Sequence, residues 1–426
     1  MTARRIRALA ALAMLAGLTP LAACAQTLAQ RVARAPEGRV QFSFATRDGV
    51  CGDGRSYIHL PSASSNQVYG SFNDVSSEPC VRGPARVVLD RADHQVVSLR
   101  VFVGPPSNDG AADLGTVGAG DASAYLLQLA DTAQGAVPRD AIMPAMLADS
   151  VDNQRVLVAL ARDRSRSRET RRSAIAWLGR MAAVDGSLPA TLVSIATDDE
   201  DNQSVRQQAL STLARLPGGG GTASLVTLAD DAHGGWVART ALSVISSSGD
   251  PRAHDYLRGV VRKAALPDEA LAVAIRSFGQ EYATAADIST IRDAWPKLDG
   301  DRAQGAAISA VARFGGPGNV HWLLSLAQDM GTTASIRRRA LEGAAQAGAR
   351  TADLVSLYDG TTDPQLKDAV ISALSQTGDR AATDKLIAIA RNDDSAAARR
   401  RAVSALGRSS DPRAKAALEA LVERRP

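Results

Sequence analysis

The sequence has 426 residues, of which 45% are hydrophobic but only 4% aromatic, so a folded core must consist mainly of Ala, Leu, Val and Ile. With 22% charged residues and a mean hydropathy of −0.10, the composition excludes a disordered chain and indicates a soluble, folded protein. Residues 1–25 hold three arginines and no acid, so without them the net charge falls from +4 to +1. We therefore expect no nucleic-acid partner.

The N-terminal segment, residues 1–25, has the pattern of an export signal: a cationic start, ARRIR, precedes ALAALAMLAGL, an apolar run too short to span a bilayer. Its end allows two interpretations. Leu21–Cys24 resembles the bacterial lipobox, in which Cys24 is lipidated, whereas ordinary cleavage after small residues would leave Gln26 first. Both predict an exported protein, in the periplasm or as an outer-membrane lipoprotein, that contacts a membrane only through this N-terminal lipid anchor.

Two cysteines remain beyond the signal, Cys51 and Cys80. An even pair in an oxidising compartment favours a disulfide over a metal site, because no cluster of histidines and cysteines accompanies it in the sequence. We predict a Cys51–Cys80 bridge.

Residues 26–118 carry strand signals and then a linker. RVQFSF places Val40, Phe42 and Phe44 on one face, and ARVVLD followed by RADH and QVVSLRVFV predicts an antiparallel hairpin. In the second strand of that hairpin, Val97 belongs to the predicted apolar face. The stretch GPPSNDGAADLGTVGAG is typical of a linker. These residues predict a small β-rich module, which the disulfide would help to hold together.

From about residue 119 onward the sequence predicts helices, and one phrase recurs: Ala-apolar-x-x-apolar-small. Its copies are AIMPAM at 141, AIAWLG at 174, ALSTLA at 209, ALSVIS at 241, AIRSFG at 274, AISAVA at 307, ALEGAA at 340, VISALS at 370 and AVSALG at 402. The spacing of 30–35 residues indicates a repeat array over 119–426. Positions 1, 2 and 5 share one helical face, so the phrase predicts a packing seam rather than a catalytic motif.

Each unit holds a second helix, which makes it a helical hairpin of roughly 33 residues. Three of these helices start alike, as GDPRAHDYL, GDRAATDKL and SDPRAKAAL, in which Asp250, Asp379 and Asp411 are predicted N-caps. A leucine seven residues after each Asp is predicted to face inward.

These units resemble HEAT repeats, specifically the short HEAT-like type also found in phycobilisome lyase subunits. The resemblance covers about residues 121–426 and rests on the period, the Asp-Pro helix start, the acidic turns TDDED and RNDDS, and the Arg-rich segments SVRQQAL, SIRRRAL and AARRRAV. It implies a mostly α fold, an α-solenoid of about nine helical hairpins preceded by the disulfide-bonded β-rich module. Lyase activity is not expected, because the sequence shows no chromophore chemistry.

No motif for chemistry stands out. HExxH, G-x-S-x-G, a phosphate-binding glycine loop and a dinucleotide fingerprint are absent, and the five histidines lack ligand spacing. RDGVCGDGR, from Arg47 to Arg55, has two aspartates that suit Ca²⁺ but lacks EF-hand spacing, so a tight turn is the better interpretation. We predict no catalytic, cofactor or metal residues.

Two features each allow a binding and a structural interpretation. The arginine triplets Arg337–Arg339 and Arg399–Arg401 either form a basic ladder or, as we prefer, pair with acids in neighbouring turns. Trp236, Trp295 and Trp322 are either anchors on a binding face or packed side chains.

The array together with the missing catalytic motifs predicts a non-enzymatic envelope scaffold or adaptor that binds a protein partner on the solenoid surface. The alternative is that the β-rich module binds a ligand or glycan, or acts as an accessory subunit of an envelope enzyme, with the solenoid as spacer.

Overall fold

A computed structural model describes residues 26–60, 67–70, 80–105, 110–180, 186–230, 235–248, 250–278 and 283–423. The chain divides into two compact units, Met1–Asp152 and Asn153–Pro426. The predicted signal segment, including Cys24, lies outside the described residues. Among the helices of the described ranges, none combines the length and apolarity required to cross a bilayer.

The first unit contains two four-stranded sheets and three helices in its described part. Its elements are α1 Leu28–Arg34, β1 Gly38–Phe44, β2 Cys51–Gly52, β3 Tyr57–Leu60, β4 Gln67–Gly70, β5 Val81–Arg82, β6 Ala85–Ala92, β7 Gln95–Val103, β8 Ala112–Thr116, α2 Ala119–Thr132 and α3 Val137–Leu147. One sheet has the order β7-β6-β1-β8 and the other β4-β3-β2-β5.

Strand β1 forms the core of the first sheet, as its alternation predicts. Val40, Phe42 and Phe44 are fully buried, and the ring of Phe42 meets the edge of Tyr125 from α2 at 6.2 Å between centroids. Burial raises the pKa of Tyr125 to about 12. The strand thereby ties a helix to the sheet.

The predicted β6–β7 hairpin is confirmed, and its two-residue turn has Asp93 and His94 at positive φ, as a primed turn requires. The apolar face of β7 is only partly as predicted. Leu99 and Val103 are buried, but Val97 is exposed. The pairing register skips Val97, because Asp90 pairs with Ser98 and Arg91 with Val96. Val97 is therefore a bulged residue whose side chain does not follow the alternation.

The second sheet is short, and the predicted Cys51–Cys80 disulfide is confirmed, closing a sequence separation of 29 residues. Cys51 lies in β2 and pairs with Arg82 of β5, two residues from the second cysteine. Gly52 is required here, because a Cβ atom would lie 2.5 Å from the carbonyl oxygens of Tyr57 and Val103.

The linker prediction is wrong for Ala112–Thr116, which forms β8 and pairs in parallel with β1. The segment lacks apolar alternation because it is an edge strand with mostly exposed side chains, held through its backbone. Helices α2 and α3, which the sequence assigned to the array, are part of the first unit. The amide of Arg47 donates to the carbonyl of Leu147, and a single antiparallel bridge joins Thr46 to Ala148, so the end of α3 is bonded to the segment after β1.

The second unit consists of helices in its described part. They are α4 Gln154–Arg162, α5 Arg168–Leu178, α6 Leu188–Thr197, α7 Gln203–Leu213, α8 Thr222–Ala229, α9 Trp236–Ile245, α10 Pro251–Lys263, α11 Asp268–Phe278, α12 Ala285–Ala294, α13 Asp301–Phe314, α14 Pro317–Gln328, α15 Ala334–Gln346, α16 Thr351–Gly360, α17 Pro364–Thr377, α18 Arg380–Asn392, α19 Ala396–Leu406 and α20 Pro412–Glu423. The odd-numbered helices from α5 to α19 pack side by side and form what we call the front layer. Each even-numbered helix from α4 to α18 packs against the front helix that follows it; these helices and α20 form the back layer. This is the predicted α-solenoid.

Eight of the nine copies of the recurrent phrase lie in the front layer and form its seam, whereas the first, AIMPAM at 141, lies in α3 of the first unit. In α5, Ala174, Ile175 and Leu178 are fully buried, and a Cβ atom on the following Gly179 would lie 2.7 Å from the methyl group of Thr212 in α7. The last copy is an informative exception, because its second position, Val403, is 38% exposed. Within the described chain no front helix follows α19, so position 2 is the one that faces the next repeat.

The predicted helix starts are confirmed. The carboxylates of Asp250, Asp379 and Asp411 accept hydrogen bonds from the amides of Arg252, Ala382 and Arg413 at 3.0, 2.7 and 2.9 Å.

The inward leucines that follow these caps are buried in the first two helices. Leu257 and Leu386 lie in the core, while Leu418 in α20 is only partly buried.

Candidate interaction surface

Five copies of the seam carry a cation three residues before the phrase, and we call these side chains the junction cations. They are Arg171, Arg206, Arg337, Lys367 and Arg399. Each lies in the first or second turn of a front helix, directly after an acidic turn. This position lets a long cationic side chain reach the backbone and carboxylates of adjacent turns.

Arg171 shows the arrangement most fully. Its Nε donates to the carbonyl of Ala161 at 2.9 Å, and its Nη1 donates to Asp201 in the turn before α7 at 2.6 Å. The side chains of Arg171 and Asp201 are only 5% and 4% exposed. Burial raises the pKa of Asp201, but hydrogen bonds from Arg171 and from the amide of Asn202 outweigh it, so the net pKa lies below its usual range. The pair couples one repeat to the next.

The other junction cations make related contacts. Arg206 donates to the carbonyl of Ala196 and pairs with Asp199. Arg337 donates to Asp363, the N-cap of α17, at 2.7 Å. These pairs hold a front helix to a neighbouring turn.

Arg399 and Lys367 both reach the turn after α18. Arg399 donates to the carbonyls of Asp393 and Asp394, and Lys367 lies 3.8 Å from the Asp393 carboxylate. The structural network that we preferred therefore exists, but it uses only the first arginine of each triplet.

The remaining arginines of the triplets are exposed on the front layer. Arg338 lies 3.9 Å from Glu342 on its own helix, and Arg401 of α19 lies 3.0 Å from Asp368 of α17. These two pairs are about half exposed or more on both sides, so each contributes little to stability. They are available to solvent and to a partner.

A groove of about 940 Å³ runs between the same helices, α15, α17 and α19. Its lining includes the small side chains of Ala345, Ala369, Ala373 and Ala397. Polar groups accompany them, namely Arg338, Glu342, Asp368, Ser372, Gln376 and Arg401. We call this the front groove. It combines small apolar side chains with charged and hydrogen-bonding groups.

A second set of exposed charges links the middle of the front layer. Glu269 of α11 lies 3.6 Å from Arg239 of α9 and 3.2 Å from Arg302 of α13. The three side chains form a charge ladder across three successive front helices, at the copies that lack a junction cation.

The tryptophans that the sequence offered as anchors lie outside the front groove. Trp295, after α12, and Trp322 of α14 are partly buried and meet edge to face at 5.4 Å between ring centroids. Trp236 stacks with the guanidinium of Arg206, 5.0 Å from its ring centroid. All three make packing contacts.

The polar cluster around His254 has a structural role. Its Nε2 lies 3.1 Å from both oxygens of the fully buried Asp287, to which Arg258 also donates. Burial raises the pKa of Asp287, but hydrogen bonds from Thr284 and Arg258 outweigh it and leave the pKa below its usual range. The carboxylate also caps α12, so it is engaged on every side by structural contacts.

One residue beside the disulfide was not predicted from the sequence. His59 of β3 is paired with Cys51, and the ring and both sulfur atoms lie within 4.8 Å of one another. Such a trio would suit a soft metal ion, but the disulfide engages both sulfur atoms. Only strand pairing could have revealed it, since the sequence separates the three residues widely. In the same region Asp53 accepts hydrogen bonds from the amides of Arg55 and Ser56, which is a tight turn as interpreted.

Of the other histidines, His94 lies in the β6–β7 turn beside Glu37, His321 is exposed on α14, and His233 falls outside the described residues. Among the described residues, neither His94 nor His321 belongs to the group formed by Cys51, His59 and Cys80. The absence of catalytic, cofactor and metal residues stays a prediction.

A family model described as HEAT repeats matches residues 351–426, which are α16 to α20 and include α17 and α19, two of the three helices of the front groove. The resemblance to HEAT repeats is thus confirmed for this segment, and repeats of this class generally mediate contacts between proteins. The narrower likeness to phycobilisome lyase subunits stays a prediction.

No curated protein matches the sequence. Among solved structures, human deoxyhypusine hydroxylase in complex with glycerol is 18% identical, with a TM-score of 0.24 over 57% of this chain and 91% of that one. Lipovitellin, from a study of lipid–protein interactions, is 12% identical, with a TM-score of 0.42 over 87% of this chain and 42% of its own. A computationally designed self-assembling cyclic homo-oligomer is 16% identical, with a TM-score of 0.10 over 72% and 95%. Since all three TM-scores lie below 0.5, the functions of those proteins do not carry over to this chain.

Proposed function

We propose that this chain is a non-enzymatic scaffold or adaptor that binds a protein partner along the front layer, with the front groove as the principal contact. The groove is the observation that carries the proposal. Two of its three helices, α17 and α19, lie in the segment that matches HEAT repeats, and its size suits a peptide segment of a partner.

The residues that pack the repeats together differ from some of the residues that line the groove. The apolar seam positions between successive repeats are buried and hold the repeats together, whereas Gln376 and Ala397 line the groove outside the seam. A surface that the fold does not need for its own packing is free to select a partner.

We further propose that this scaffold works in the cell envelope, in the periplasm or as an outer-membrane lipoprotein. The pattern of residues 1–25 and the Cys51–Cys80 bridge support this placement, because disulfides persist in oxidising compartments. In this proposal the bound molecule is a protein, and the chain itself catalyses no reaction.

A photo-crosslinking side chain at Ser372, in the groove, tests the partner contact in living cells. The matched control carries the same probe at Lys415, exposed on α20 in the back layer. We expect one protein to be captured from Ser372 and not from Lys415. The captured protein is then purified and its affinity measured against Ala369→Trp, which fills the groove. An unchanged affinity, or equal capture from both sites, would refute the proposal.

A second candidate rests on a pocket of about 330 Å³ in the first unit, between α1, the β6–β7 turn and α2. It would serve a ligand or glycan bound by the N-terminal module. Ala29→Trp places a large side chain in this pocket. If that substitution abolishes binding of the cell-derived ligand and Ala369→Trp does not, the module is the functional end.

A further inference from the structure

Three side chains that can bind a metal ion lie together on one face of the second sheet. The strand order β4-β3-β2-β5 places β2 between β3 and β5. Cys51 of β2 lies directly opposite His59 of β3, and the disulfide holds Cys80, which directly precedes β5, on its other side. Directly opposite residues point to the same face of an antiparallel pair. The sheet therefore brings one imidazole and two sulfur atoms within 4.8 Å of one another.

The imidazole of His59 has no structural task that would explain its position. It is partly buried, and it forms no hydrogen bond or ion pair with any residue that the structure describes. By contrast, the imidazoles of His94 and His254 each lie 3.1 Å from a carboxylate. A neutral imidazole keeps one nitrogen lone pair free for a proton donor or a metal ion.

We propose that Cys51, His59 and Cys80 bind a thiophilic metal ion, with Zn²⁺ as the best fit, when the disulfide is reduced. Two thiolates and one imidazole are a ligand set that zinc accepts, with the fourth position left to water. With Zn–S of about 2.3 Å and Zn–N of about 2.0 Å, ligand atoms of a tetrahedral site lie roughly 3.5–3.8 Å apart. This separation falls inside the 4.8 Å that the three atoms already span. Such a site would be an exception to the absence of metal residues predicted from the sequence.

The disulfide and the metal ion exclude each other, because both use the same two sulfur atoms. A dithiol reductant supplies two electrons and two protons, so that the S–S bond becomes two thiols and the reductant becomes a disulfide. Zn²⁺ then binds both sulfur atoms as thiolates and displaces the two protons, while neutral His59 donates its lone pair. A disulfide oxidant takes the two electrons back, releases the ion and restores the Cys51–Cys80 bond.

The site is accessible and is separate from the front groove. Cys80 is exposed, and Cys51 and His59 are partly buried, so a reductant and an ion can approach from solvent. All three residues belong to the first unit, whereas the helices of the front groove belong to the second. The metal would join β3 to the other two ligands, which the disulfide does not do. It would therefore stabilise the sheet in a reducing environment.

The test uses the full-length protein, reduced with dithiothreitol that is then removed without oxygen, and the untreated disulfide form as background. Competition with a chromophoric zinc chelator gives the affinity and the stoichiometry of Zn²⁺. His59→Ala keeps both cysteines and therefore the disulfide through purification, and the matched control His94→Ala removes an imidazole from the β6–β7 turn. We expect one Zn²⁺ per reduced chain, unchanged affinity in His94→Ala, and at least about tenfold weaker binding in His59→Ala.

Two further measurements report the geometry of the site. Co²⁺ in place of Zn²⁺ should give the visible spectrum of a tetrahedral thiolate site in the reduced wild type, and a different spectrum in His59→Ala. Zn²⁺ should also slow hydrogen exchange in β2 and β3 of the reduced protein, and slow it less in His59→Ala.

Equal zinc affinity in His59→Ala and the wild type would overturn the inference, because the two cysteines alone would then account for binding. So would equal binding by the reduced and disulfide forms, or a reduced protein with two free thiols that binds no Zn²⁺. The proposed scaffold function is judged separately by Ala369→Trp in the front groove, so either result can fail without the other.

Discussion

The buried pair of Arg171 and Asp201 makes the most demanding prediction about the array. Asp201→Ala removes the carboxylate but leaves the guanidinium 5% exposed and with only the carbonyl of Ala161 as a described partner. An unpaired buried charge of this kind typically costs about 3–5 kcal/mol. Asp199 lies in the same turn and supplies a matched control. It pairs with the next junction cation, Arg206, but its side chain is 89% exposed. Asp199→Ala should cost only about 0–1 kcal/mol.

Hydrogen exchange measured by mass spectrometry suits this prediction, because repeat arrays unfold locally and need not be two-state. At 1.4 kcal/mol per factor of ten, peptides from α5 and α7 in Asp201→Ala should exchange at least about a hundredfold faster. Peptides from α17 and α19 in the same sample should be unchanged.

The pH dependence follows from the lowered pKa of Asp201. A carboxyl whose pKa is lower in the folded state stabilises the fold above its unfolded pKa of about 4, and this contribution is lost as the pH falls toward the folded value. Protection of α5 and α7 should therefore decline with acid in the wild type, and less in Asp201→Ala. If Asp201→Ala exchanges no faster than Asp199→Ala, the junction pair does not couple the repeats as argued.

Three further predictions concern other parts of the chain. Replacing Cys51 and Cys80 by serine should cost about 3–4 kcal/mol by loop-closure entropy, seen as faster exchange in β2 and β5 but not in α17. Ile371→Ala should cost about 2–5 kcal/mol because Ile371 is fully buried, whereas Val403→Ala, at the exposed equivalent position, should cost less than about 1 kcal/mol in urea unfolding. The intact mass of the exported product should show an acylated Cys24 if the lipobox is used, and an unmodified mass would remove the membrane anchor.

The repeat architecture follows from sequence because its signals are local. The phrase period, the capping aspartates such as Asp250 and the alternation around Phe42 each depend on a few neighbouring residues. The structure adds what depends on distant pairing. Strand β8 is held by its parallel neighbour and not by its own composition, and Val97 is exposed because it is the bulged residue that the pairing of β7 with β6 skips.

The candidate surface was predictable only in part. The triplets marked α15 and α19, but their sequence does not say that Arg337 is buried against Asp363 while Arg338 is exposed. That division depends on helix phase relative to the adjacent repeats. The alanines that line the front groove could not be recognised from the sequence either, because alanine also occurs in the seams between repeats.

The uneven distribution of the junction cations has a mechanical consequence. At the three middle copies the equivalent positions are Ala238, Leu271 and Gln304, so the front layer has no junction cation there. The back layer is still joined at this point by the bond from Arg258 to Asp287. The exposed ladder through Glu269 is open to solvent, and dissolved ions weaken it. Under tension we expect the front layer to separate first between α9 and α13, and to do so more readily at high ionic strength. The front layer would then stretch more easily at its middle than at either end, and the salt concentration would change how easily it does so.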